Sequence, residues 1–259
     1  MEQRGGRGLA CRLVGEGAPV LLVHGWGVSR SVWQPLEAEL AGHVRLVQVE
    51  LPGLGASPPA AGDFGPAAIA GIRSLREQLG IERWTVLGYS AGAGITSRYV
   101  RGDAAAVDGA VFLCPLLPLG IYRAFIPAQR LTRRTWTGPE SWLTSGWRLH
   151  WLMRLFAFNT PRRAPARAWH REWASQPRQV LWDQFGDMFD LDWDALPPTV
   201  PQLRIWGRRD RLAARPRRAR DCDRVIDAAH SAPLDNAPAV AAELLAFLEG
   251  LPVRQAPAR

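Results

Sequence analysis

Lysine is absent from this chain. All 32 basic residues are arginines, set against 24 acidic residues, for a formal charge of +8 over 259 residues. Arginine-rich coding accounts for the missing lysine but not for where the arginines cluster. Cysteine is scarce: Cys11, Cys114 and Cys222 stand far apart, odd in number and without a CxxC pair. That spacing suggests neither a disulfide framework nor a zinc site, and the three thiols read as inert. A reducing cytoplasm is the expected location. The stretch Met1–Arg7 lacks the apolar core of a secretion signal. No uncharged run approaches the roughly 20 residues a spanning helix needs, so no membrane partner is expected. No internal repeat, metal-ligand cluster or phosphate-cradling glycine loop is present. No nucleic-acid motif accompanies the positive charge. The expectation is a monomer with no cofactor, no metal and no nucleic-acid partner.

What is present is apolar and ordered. At 47% hydrophobic residues the chain can bury a large core, and its length suits one α/β domain with an insertion. Leu9–Val14, Val20–Val23, Val44–Val49, Trp84–Leu87, Ala110–Leu113, Leu203–Gly207 and Arg224–Ile226 read as strands. Val20-Leu21-Leu22-Val23 is continuously apolar, as a strand buried on both faces requires. Between strands, Ser31–Leu40, Pro66–Leu79 and Ala93–Arg101 have helical patterning, and Ala237–Glu249 closes the chain as a helix. Alternation of this kind implies a largely parallel sheet. It lapses between about Pro118 and Pro198, where eight of the 12 tryptophans fall. There helical pieces are broken by Pro127, Pro139, Pro161, Pro165 and Pro177. The organisation expected is a core of 1–117 and 199–259, with a helical cap inserted over 118–198 and a loose tail from Val253.

The chemistry is carried by Gly88-Tyr89-Ser90-Ala91-Gly92 between a strand and a helix. G-x-S-x-G in that context lifts a serine hydroxyl above the strand end on one sharp turn. The backbone N–H of Ala91 then faces any negative charge forming beside it. A serine nucleophile needs a base, and the base an orienting carboxylate. His230, after the last strand, is the candidate base. Asp210, just beyond the strand Leu203–Gly207, is the candidate acid. The order Ser, Asp, His is that of α/β-hydrolases. His24-Gly25-Trp26-Gly27 ends another strand, and the Trp26 backbone is the natural second oxyanion donor. His24 reads as a brace for that loop. His43, His150 and His170 read as ordinary.

With these residues the chain resembles the α/β-hydrolase superfamily along nearly its whole length. More narrowly it resembles the pimeloyl-[acyl-carrier protein] methyl ester esterases of biotin synthesis. The grounds are Leu21-Leu22-Val23-His24-Gly25-Trp26-Gly27 followed by Trp33, Leu51-Pro52-Gly53-Leu54-Gly55-Ala56-Ser57, and Ala228-Ala229-His230. The resemblance implies a serine carboxylesterase that frees methanol from a dicarboxylate chain held on an acidic carrier protein. It implies Trp26 and Tyr89 as substrate contacts. Arg123–Arg178 carries eleven arginines against two acids. Pairs at helical spacing, Arg130/Arg134 and Arg167/Arg171, share a face and are the candidate contacts to a carrier, arginine forks suiting carboxylates and phosphates.

The chain departs from that pattern at several points. Glu50 stands where the loop usually opens with Asp, Tyr89 where Trp is expected, and Ala91 where a larger residue is usual. Only 20 residues separate Asp210 from His230, so the helix between their strands is expected to be short or missing. Ser231 intervenes before Ala232-Pro233. Two alternatives remain open: a general small-ester, lactone or C–C bond hydrolase of the same fold, and a non-catalytic receptor or binding module built on it.

Overall fold

A computed structural model describes residues 2–3, 8–116, 195–213, 215 and 218–252. Between 117 and 194 it describes residues 172, 175–177, 179–181, 183, 184 and 191. Most of the expected cap, and with it Arg130, Arg134, Arg167, Arg171, His150 and His170, therefore lies outside the described residues, as does the tail from Val253.

Eight strands form one sheet among the described residues: β1 (Glu2–Gln3), β2 (Cys11–Val14), β3 (Pro19–Val23), β4 (Arg45–Val49), β5 (Trp84–Tyr89), β6 (Val107–Leu113), β7 (Gln202–Gly207) and β8 (Asp223–Ile226). Their order is β1-β2-β4-β3-β5-β6-β7-β8. The pairings of β2 with β1 and β4 are antiparallel, and all others are parallel. The sequence reading places seven of these strands; the two-residue β1 adds an eighth.

The apolar runs are explained by two cores, one on each face. Leu21 and Val23 of β3 join Val47, Val86 and Phe112 beneath α2 (Phe64–Gln78) and α3 (Gly92–Gly102), with Ile72, Ile95 and Tyr99 facing them. The alternate residues Val20 and Leu22 join Leu46, Leu87 and Val111 beneath α1 (Gln34–Leu40) and α5 (Ala237–Glu249), with Leu36, Leu40, Val240 and Leu244. Period-two alternation thus fills both layers, and each fully buried Leu, Ile or Val contributes about 1.5–3 kcal/mol. α5 begins where the Asn236 side chain accepts the Ala239 N–H, 3.3 Å, with Pro238 in its first turn.

Two elements differ from the sequence expectation. The stretch read as one helix from Ser31 divides into a 3-10 turn, Arg30–Trp33, and α1. Pro35 lies in the first turn of α1 and has no N–H to continue the ladder. A further four-residue helix, α4 (Ala232–Asp235), follows His230 directly. Between β7 and β8 no helix occurs among the described residues. No helix among the described residues is long and apolar enough to cross a membrane.

Candidate active site

Ser90 sits at φ +54°, in the left-handed region a non-glycine residue rarely adopts. The turn is held from every side. The Ser90 N–H donates to Leu113 of β6, 2.9 Å, and its carbonyl accepts from Ala93, 3.2 Å, and Leu116, 3.3 Å. Its glycines are obligatory. A Cβ on Gly88 would lie 2.4 Å from Thr96 Oγ1, and one on Gly92 2.3 Å from the His24 carbonyl oxygen. The elbow can form only where helix α3 and the β3 loop approach this closely. Ala91 is the residue at which α3 begins.

The Ser90 hydroxyl lies 2.8 Å from His230 Nε2. His230 Nδ1 lies 2.8 Å from Asp210 Oδ2. The other oxygen of Asp210 accepts the backbone N–H groups of Leu212, 2.8 Å, and Ala213, 2.9 Å. With Nδ1–H given to a carboxylate, Nε2 is left to accept the serine proton. The short Asp210–His230 spacing is accommodated because the acid loop and the imidazole loop abut: the Arg209 N–H donates to the Ala228 carbonyl, 2.9 Å.

Side chains near this line complete its support. Tyr89, read from sequence as a substrate contact, is only 2% exposed. Its hydroxyl donates to the His230 carbonyl, 3.1 Å, and its ring lies 5.7 Å from the imidazole. Trp33 packs edge-on against the same ring at 5.9 Å. Tyr89 thus stands behind the imidazole, because β5 turns it into the second core while the strained turn lifts Ser90 out. Burial pushes its phenol well above the usual tyrosine range. Cys114, at φ +44°, is buried with Sγ 4.0 Å from the Ala229 carbonyl. Burial, then the neighbouring Asp210 charge, pushes its thiol well above the usual value, so it stays protonated. Arg209 reaches Asp227, 3.2 Å, and Asp235, 3.1 Å. Asp235 also accepts the Ala229 N–H, 2.7 Å. These supporting groups carry no local sequence signal.

His24 is fully buried; its Nδ1 lies 2.9 Å from the Gly25 carbonyl and its Nε2 accepts the Leu51 N–H, 3.1 Å. Burial lowers its pKa, opposed by the Glu50 charge. The neutral ring therefore ties the β3 loop to the β4 loop. Glu50 turns to Arg30, 3.0 Å from its Nε. The Trp26 indole N–H donates to the Leu181 carbonyl, 2.8 Å, and the Glu172 carboxylate accepts the Ser29 N–H, 2.7 Å, and the Ser31 hydroxyl. Both ties bind the β3 loop to described parts of the segment between β6 and β7. No group of three or more His, Cys, Asp or Glu residues among the described ones is placed to hold a metal ion.

A parallel sheet with a strained serine elbow after its fifth strand, and an acid and a histidine following the seventh and eighth, is the α/β-hydrolase arrangement. The model of the alpha/beta hydrolase family matches residues 20–244, and the chain belongs to that family. A pimeloyl-[acyl-carrier protein] methyl ester esterase of Aeromonas salmonicida is 36% identical over 88 residues, 32% of this chain and 32% of that protein. An uncharacterized protein of Mycobacterium tuberculosis is 35% identical over 100 residues, 38% of this chain and 29% of that one. The chain thus matches about a third of the length of these curated relatives. An esterase from Thermogutta terrifontis superposes with a TM-score of 0.77 at 22% identity, covering 93% of each chain. An enol-lactonase from Burkholderia xenovorans does so at 0.74 and 20% identity, covering 93% of this chain and 96% of that one.

Proposed function

We propose that this chain is a serine carboxylester hydrolase. The observation that carries the reading is the continuous line Ser90–His230–Asp210, 2.8 Å at each link, on a strained elbow. Ser90 Oγ attacks the ester carbonyl carbon while its proton passes to His230 Nε2. The carbonyl electrons move onto oxygen, where the N–H groups of Ala91 and Trp26 receive the charge, each donor contributing about 2.7–4 kcal/mol. As the tetrahedral intermediate collapses, the carbon–alkoxide bond breaks and His230 returns the proton to the leaving alcohol. Water then gives a proton to His230, attacks the acyl-serine and releases the acid, and Ser90 regains its proton. Asp210 holds the imidazole tautomer throughout. Tyr89 acts here as a support of the imidazole, and the half-buried Trp26 as a substrate contact.

The substrate we propose is the methyl ester of a pimeloyl chain on acyl-carrier protein, hydrolysed in the cytoplasm. The partial similarity to the Aeromonas esterase supports it, as does the arginine excess over Arg123–Arg178. Arg130, Arg134, Arg167 and Arg171 are its proposed carrier contacts. The test is hydrolysis of methyl pimeloyl-carrier protein beside p-nitrophenyl esters of several chain lengths. Methanol release that disappears in Ser90→Ala supports the reading. Turnover of small esters alone leaves a general esterase. No turnover and no fluorophosphonate label on Ser90 would leave a binding module.

A further inference from the structure

The pairing of β3 with its neighbours ends at Val23. The loop that follows carries Trp26, whose backbone N–H is the second oxyanion donor of the proposed mechanism. Ahead of Trp26 this loop lies against the elbow itself. A Cβ on Gly25 would come within 3.0 Å of Ser90 Cβ and 3.3 Å of Tyr89 Cδ1. His24 Nε2, one residue earlier, accepts the Leu51 N–H, 3.1 Å. Trp26 stands between two glycines, and Gly27 takes φ +70°, so side-chain sterics do little to fix the backbone here. A donor on such a backbone stays aimed only if the chain is also held on its far side. There the Ser29 N–H donates to Glu172 Oε1, 2.7 Å, and the Ser31 hydroxyl donates to Glu172 Oε2. Ser29 Oγ accepts the Ser31 N–H, 3.2 Å, so the two donors belong to one turn. Glu172 is helical and half-buried, and its carbonyl accepts the Ser175 hydroxyl, 2.7 Å. Hydrogen bonds to an ionised acceptor are roughly twice as strong as neutral ones.

We infer that Glu172 is a positioning residue for the oxyanion hole: by holding Ser29 and Ser31 it aims the Trp26 N–H at the oxygen beside Ser90. This inference rests on the ester-hydrolase reading of Ser90. The Trp26 N–H meets a full charge only as the tetrahedral intermediate forms. Loss of its aim therefore acts on kcat and leaves ground-state binding nearly unchanged. A displacement of about 1 Å in a reacting geometry can cost on the order of a hundredfold in rate. Glu172 makes none of the hydrogen bonds of the line Ser90–His230–Asp210, so the proton transfers stay as they are. The segment between β6 and β7 thus supplies, through one carboxylate, part of the order that the reacting centre needs.

The test uses the full chain, one p-nitrophenyl ester and an alkylboronic acid. The Ser90 oxygen adds to boron, its proton passing to His230, and a boron-bound hydroxyl then sits where the oxyanion forms. In Glu172→Met, kcat should fall roughly 10- to 100-fold, with KM within about twofold of the unmutated value. The boronic acid should bind more weakly by a comparable factor, and the pH profile of kcat should keep its midpoint. Glu172→Gln retains one acceptor and should recover part of the loss. Full kcat in Glu172→Met, or a change confined to KM, overturns the inference. So does a fall in kcat with boronic acid affinity unchanged. If Glu172→Met does not fold, Ser31→Ala decides, because it removes one of the two bonds and leaves the carboxylate in place. Its kcat should fall several-fold, and an unchanged kcat overturns the inference. An unmutated protein that neither turns over the ester nor binds the boronic acid at Ser90 would instead bring down the hydrolase reading, so the two failures are distinct.

Discussion

The carboxylate of Asp235 joins Arg209 to the residue before His230. It accepts the Arg209 guanidinium at 3.1 Å and the Ala229 N–H at 2.7 Å. Arg209 is itself the neighbour of Asp210. The acid and the imidazole are therefore carried on two loops that Asp235 fastens together, where the chain between β7 and β8 is short. Buried hydrogen bonds to charged groups contribute about 1.5–3 kcal/mol.

Loosening this fastening is expected to misalign the pair without removing either member. Arg209→Met and Asp235→Asn should each lower kcat by roughly tenfold, about 1.4 kcal/mol of barrier. Asp210→Asn should cost far more, on the order of 10⁴-fold, because it favours the wrong imidazole tautomer. Arg209→Lys should recover part of the loss. Steady-state kinetics of the four variants on one p-nitrophenyl ester provide the comparison. An Arg209→Met variant as fast as the unmutated protein would reduce the fastening to a surface ion pair.

Ser90→Ala and Ser90→Gly should both be inactive, with kcat lowered by roughly 10⁶-fold if residues of this line act as a unit. They should differ in stability. At φ +54° alanine retains the steric strain and glycine escapes it, so the glycine variant should be more stable by about 1 kcal/mol. In a chain of this size that raises the melting temperature by roughly 2–4 °C. Differential scanning calorimetry measures it; equal melting points would mean that the turn is unstrained.

His24 supplies a pH dependence. Burial holds its pKa below the ordinary imidazole value of about 6.5. Below that pH the unfolded chain takes up a proton that the folded chain refuses. Stability is thus complete above about pH 6.5 and falls as pH drops towards the folded pKa, by up to about 1.4 kcal/mol per pH unit. Melting curves between pH 7.5 and 5 should show a shallower decline in His24→Gln. Parallel declines in the two proteins would place the lost stability elsewhere.

If the arginine-rich segment docks an acidic carrier, turnover of carrier-bound ester should fall several-fold as salt rises to about 0.5 M, because rim charges act on association and are screened. Turnover of a p-nitrophenyl ester should stay nearly level. Arg130→Glu with Arg134→Glu should reproduce the salt effect at low ionic strength. Carrier-bound turnover indifferent to salt would remove the docking proposal.

The residues of the hydrogen-bonded line are legible in the sequence because each has a local signature. Gly88 and Gly92 bracket Ser90, and Asp210 and His230 each follow an apolar strand in a fixed order. Core strands are legible for a similar reason, since burial on both faces leaves an uninterrupted apolar run such as Val20–Val23. The orientation of Tyr89 is not legible. Its hydroxyl meets a carbonyl 141 residues away, and nothing near position 89 records that distance. Arg209 reads as one more arginine among Arg208, Arg209 and Arg211 until Asp235 is placed opposite.

The two ties that hold the β3 loop to the segment beyond β6 differ in what they ask of inheritance. Trp26 ends on a main-chain carbonyl at Leu181, which any amino acid supplies. Substitutions at that position leave the acceptor of the indole in place. Glu172 meets Ser29 and Ser31 through its carboxylate, which only an acidic side chain replaces. A chimera that borrows this segment from a relative should therefore keep the loop in place with one retained acid. The segment between β6 and β7 is thus exchangeable, at this loop, at the cost of a single retained charge.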